Sequence, residues 1–170
     1  MKQWILLILF FISSVFFSAC QKEGVIPSLE SKFLQSPKLA SESFFTKLKE
    51  RKEDLAHKHL PNYEEYHALL LLWDKEGKVK SGYKTLAGNY ITENVKHLRR
   101  WMDVIEIQKL EFVDIHLSKK VQAVGPYRLH RNVLLELKDP SGKTHKVQIF
   151  KSLLEHDGKF LPWSIKDTRN

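Results

Sequence analysis

Apolar and polar positions recur along this chain with two different periods, and the change from one to the other falls near Asp103. Phe44, Phe45, Leu48, Leu55 and Ala56 repeat near the helical period with charges between them, which predicts a helix over 41–60. Ser41 is its expected N-cap, and Leu60 followed by Pro61 its end. Asn62 with Glu65 three positions on has the form of a capping box. Tyr63, Tyr66, Leu69, Leu70 and Trp73 then define a second helix that stops over 74–77. After the loop KEGKVKSG a third helix is predicted over about 82–102. Tyr83, Leu86, Tyr90, Leu98 and Trp101 line one side of it, and Gly88 with Asn89 is its weak point.

Past Asp103 the period drops to two. KLEFVDIHLSKKVQAV, residues 109–124, alternates in its first half, with Val113, Ile115 and Leu117 as the apolar face. Val133, Leu135 and Leu137 define a strand over 133–138, and KDPSGK is a hairpin connection. HKVQIFKSLLEH reads as one further strand, followed by Asp157-Gly158, a strong short hairpin signal. The last strand, over 160–166, contains Pro162, which predicts an edge or a bulge. Three helices followed by about four antiparallel strands predict an α+β fold, with the N-terminal helices packed on one face of a curved sheet. Over 41–167 this order resembles the NTF2-like, cystatin-like cone. That resemblance implies a pocket between the helices and a bent sheet, and a homodimer formed through the sheet.

The amino-terminal pattern is of another kind. WILLILFFISSVFF, residues 4–17, follows Lys2 and is too short for a bilayer-spanning helix, which needs about 20 apolar residues. Its length and place are those of a secretory signal. Ser18, Ala19 and Cys20 follow, and Cys20 is the only cysteine in the chain. Together these residues resemble the lipobox of bacterial lipoproteins, with Phe17 where leucine is usual. The resemblance implies cleavage before Cys20, diacylglycerol on its thiol and stable attachment through two or three acyl chains. Residues 1–19 are then a signal peptide, 20–40 the lipidated cysteine and a Pro- and Gly-bearing tether, and 41–170 the folded domain. Gln21 in place of the Asp that can retain lipoproteins at the inner membrane points to the outer membrane of the bacterial cell envelope.

Charge adds a partner class. The chain has 28 Lys and Arg against 20 Asp and Glu, a formal net charge of +8. That excess suits acidic surfaces or ligands. It is dispersed, with no basic stripe interleaved with aromatics, so a nucleic-acid partner is not expected.

Candidate chemistry is sparse. Eight histidines include no pair at i, i+4 and no H-E-x-x-H, so neither a metal nor another cofactor is expected. Asp114 and His116 stand two apart on a strand, where a carboxylate can orient an imidazole as a general base. Enzymes resembling the NTF2-like cone place such a pair in the pocket. In GPYRLHRN, Arg128 and Arg131 lie beside Tyr127 and could grip a carboxylate, phosphate or sulfate. Lys119 and Lys120 would extend that patch across a hairpin. The expectation is a lipid-anchored, non-catalytic envelope protein that binds a small ligand or an acidic partner. Two alternatives are an enzyme of the polyketide-cyclase or dehydratase-like kind using Asp114 and His116, and a surface adhesin for polyanions.

Overall fold

The computed structural model describes residues 24–74 and 82–168. The signal 1–19, Cys20 and most of the loop expected after Asp74 lie outside the described residues. The fold is α+β: helices come first in the chain and pack against two antiparallel sheets.

Folding starts earlier than the tether boundary at residue 40. Helix α1 (Pro27–Glu30) buries Leu29 completely, and Phe33 stacks on Tyr127 with 6.0 Å between ring centroids. The Ile26 amide donates to the Tyr127 hydroxyl at 2.7 Å. Lys32 Nζ reaches Glu65 Oε2 at 2.6 Å and the Leu60 carbonyl at 3.1 Å. Short apolar stretches without a period carry little local signal, so only packing reveals that this segment belongs to the domain.

The N-cap of helix α2 (Pro37–Lys49) is Ser36, five residues before the expected Ser41. Ser36 is extended, its side chain accepts the Leu39 amide at 3.1 Å, and Pro37 sets the first helical turn. Ser41 is inside the helix on its buried face, beside Ala40, Phe44, Phe45 and Leu48. The helix expected to reach residue 60 breaks at Arg51, whose φ is +55°. Arg51 Nη1 there meets Asp103 at 3.0 Å and Glu106 at 2.6 Å. A short helix α3 (Glu53–Lys58) follows. Helix α4 (Tyr63–Trp73) opens with the capping box of Asn62 and Glu65. Helix α5 (Tyr83–Gln108) runs unbroken through Gly88 and Asn89 for 26 residues, about 39 Å. Its inner face, from Ala87 to Ile105, spans both core clusters.

Among the described residues the strands number seven, because the longer apolar runs are each shared out between two sheets. One sheet has the order β1 (Glu111–His116), β4 (Leu134–Lys138), β5 (Thr144–Val147). The other has β2 (Val121–Val124), β3 (Tyr127–Arg131), β6 (Phe150–His156), β7 (Lys159–Ile165). The chain passes from one sheet to the other over 117–120, at Asn132, where φ is +56°, and again at Gln148 and Ile149. Ile149 accepts the Lys166 amide at 2.8 Å, which closes that corner. Val133, Leu135 and Leu137 are fully buried, as their alternation predicts. A register shift after Phe112 moves Val113 outward and sends Phe112, Ile115 and Leu117 to the core. At Gly125 φ is +59°, and any Cβ would lie 3.3 Å from Leu72, so the turn between β2 and β3 calls for glycine. Asp157 and Gly158 both have positive φ, as a two-residue hairpin between right-twisted strands demands.

β7 is the outer strand of its sheet, and its free edge is covered rather than exposed. Leu34 pairs with Phe160 at one end. Pro162 faces the same way two residues on and has no amide to leave unpaired. Beyond it, side chains of α4 and α5 take over. The Tyr66 hydroxyl donates to the Trp163 carbonyl. Asn94 Oδ1 accepts the Ile165 amide at 3.0 Å, and Trp101 Nε1 donates to the Lys166 carbonyl at 2.8 Å.

Candidate functional site

The same face of α5 carries a buried histidine. His97 Nδ1 lies 3.2 Å from the Ile165 carbonyl, which can only accept, so this nitrogen donates. Nε2 points the other way, 3.1 Å from Glu93 Oε2 and 3.8 Å from Asp167 Oδ2. Asp167 is in turn held by Arg100 Nη1, at 2.9 and 2.8 Å from its two oxygens. His97 thus ties α5 to the end of β7 and has both nitrogens engaged.

Beside it is a cleft of about 450 Å³. It lies where the chain changes sheets, so Asn132 and Gln148, at two of the three crossings, are part of its wall. Strand pairing brings three cations to it. Arg131 ends β3, Lys151 lies at the start of β6, and Lys166 directly follows β7, and these are adjacent antiparallel strands. Arg131 is positioned twice: Nε and Nη2 lie 3.1 and 2.6 Å from Gln122 Oε1, and its guanidinium sits over Trp73, 5.4 Å from the ring centroid. Lys166 Nζ donates to Gln148 at 3.1 Å. Lys151 makes no ion pair among the described residues. Of the two carboxylates in the wall, Glu93 faces His97 and Asp167 faces Arg100. The cleft therefore keeps an excess of positive charge over a floor of committed acids, which suits an incoming anion.

The residues expected from the sequence are divided by the fold. Arg131 is in the cleft wall. The Arg131 amide donates to the Lys120 carbonyl at 3.1 Å, so Lys120 is its neighbour in the chain's path, and Lys119 is exposed beside it. Arg128 points to the opposite face of β3, as alternation requires. There its Nη1 is 3.4 Å from Glu155, which also holds His130 Nε2 at 2.5 Å. The expected single patch of four cations is thus split by the pleat.

Asp114 and His116 share the outer face of β1, as their spacing predicts, yet each has its own partner. Asp114 lies 3.4 Å from Lys38 Nζ, and His116 Nε2 lies 2.8 Å from Glu136 Oε2. Their side chains are 50% and 40% exposed, and neither belongs to the cleft wall. The Ile115 amide first, and the Lys38 ammonium after it, hold the Asp114 carboxyl below its ordinary pKa. A carboxylate kept ionised in water and an imidazole turned to another acid do not form a sheltered base.

Sequence reasoning missed Lys151, Lys166 and His97. The first two lie far apart in the chain and converge only through strand order. His97 does carry a signal, as a polar residue seven positions beyond Tyr90 on the apolar side of a predicted helix. In comparisons with known proteins, no family model, no curated protein and no solved structure matches this chain.

Proposed function

We propose that this chain is a lipid-anchored protein of the bacterial cell envelope, attached through a diacylated Cys20, that binds a small acidic ligand without transforming it. The observation that carries the binding is the convergence of Arg131, Lys151 and Lys166 on one cleft whose acids are already engaged. The engagement of both His97 nitrogens favours holding over proton transfer. Support for the anchor is the run 4–17 with Ser18, Ala19 and Cys20. Ile26, whose amide bonds to the domain's Tyr127, is six positions after Cys20, a reach of about 20 Å at most. The domain then rides close to the bilayer.

Two measurements test the two halves. In a bacterial host fed radiolabelled palmitate, the full chain takes up label and Cys20→Ala does not; equal labelling rejects the anchor. Equilibrium dialysis of inorganic phosphate against the chain shows saturable binding that Lys151→Glu weakens about tenfold, the effect of losing one charge-assisted contact. Binding indifferent to that reversal rejects the cleft.

A further inference from the structure

The face of α5 that borders the cleft also borders a second cavity. Leu86 and Tyr90, with Leu70 and Trp73 of α4, line an apolar space of about 240 Å³. One turn past Tyr90, Glu93 and then His97 line the basic cleft. At about 100° per residue, positions 86, 90, 93 and 97 fall on one narrow strip of the helix. From Leu86 to His97 that strip is about 16 Å long. The opposite wall is joined as well, because Trp73 of the apolar cavity carries the Arg131 guanidinium of the cleft on its ring. The two cavities thus share one strip of α5 and the Trp73–Arg131 contact, one lined by apolar side chains and the other by cations.

The far end of the apolar cavity sets a direction. Asp74 lies there and accepts the Tyr83 hydroxyl at 2.8 Å, at the start of α5. A ligand's acid group is drawn away from that end to Arg131, Lys151 and Lys166, the cations of the neighbouring cleft.

We infer that the ligand is a single-chain amphiphilic acid. Its carboxylate or phosphate sits among Arg131, Lys151 and Lys166, and its apolar chain lies along α5 between Trp73, Leu86 and Tyr90. This rests on the cleft being an acid-binding site.

The test uses the full lipidated chain in vesicles of uncharged phosphatidylcholine, with a photoactivatable decanoic acid as probe and the labelled residue mapped by mass spectrometry. Labelling is expected on the segments carrying Trp73, Leu86 or Tyr90. Excess decanoic acid or decyl phosphate competes, and the better of the two names the head group; decanol, with the chain and no charge, does not. Leu86→Trp, which fills the apolar cavity, and Lys151→Glu each reduce labelling about tenfold. Competition by decanol as strong as by decanoic acid, read on the unaltered chain, overturns the inference whatever the variants do. Absent labelling with phosphate still bound at the cleft overturns the amphiphile and leaves the acid site standing. Absent labelling and absent phosphate binding overturn both.

Discussion

His59 follows α3 with its ring edge-on to Phe44, 6.5 Å between centroids. Burial first, and the Lys47 ammonium second, push its pKa below the ordinary 6.5. The sign of the pH effect follows. Just below pH 6.5 the unfolded chain binds a proton at this position and the folded chain does not, so acid favours unfolding. Stability tied to His59 is fully present above pH 6.5 and is lost as pH falls from that value through the lower pKa of the folded chain. The urea midpoint of the native chain is expected to drop between about pH 8 and about pH 5, and His59→Asn to drop less over the same interval. Equal slopes in the two proteins would refute this role. Tyr66 shows the same force on a phenol: burial holds its pKa far above the ordinary value, so its hydroxyl stays a donor to the Trp163 carbonyl. Neither environment is written in the residues around His59 or Tyr66 in the chain, because Phe44 and Trp163 arrive from elsewhere.

Among the elements, those with local causes were legible. The capping box of Asn62 and Glu65, the turn at Asp157 and Gly158, and the buried face of Val133, Leu135 and Leu137 each follow from residues within a few positions of one another. The breaks were not. Arg51 ends α2 in a conformation held by Asp103 and Glu106, some fifty positions away. The shift after Phe112 depends on the register with β4. The segment 26–34 is the largest difference, because it lacks a period and gains its place from Tyr127, Glu65 and Phe160. Leu29→Ala tests it: a fully buried leucine truncated in a packed site is expected to cost about 2–5 kcal/mol in urea unfolding. A flexible tether would lose almost nothing.

At the scale of the whole molecule, the two core clusters share α5, β6 and β7. Leu98, Trp101 and Phe150 belong to one; Ala87, Leu154 and Trp163 belong to the other. A helix of about 39 Å common to both leaves no plane along which they separate. Methyl signals of Leu135 in one cluster and Leu161 in the other are expected to vanish at the same urea midpoint, and Leu29→Ala to shift both together. Two separate midpoints would show two independently folding halves. What the sequence by itself determined was the fold class, the helix and strand periods and the tight turns, since each rests on near neighbours and on the alternation of apolar and polar side chains. The tertiary structure alone decided how the strands divide into two sheets, how the edge of β7 is covered, and which charges share a cleft. Arg131, Lys151 and Lys166 meet because β3, β6 and β7 pair side by side; Asp157-Gly158 signals the hairpin of β6 with β7, but the pairing of β3 with β6 joins segments some twenty positions apart, which no local pattern encodes.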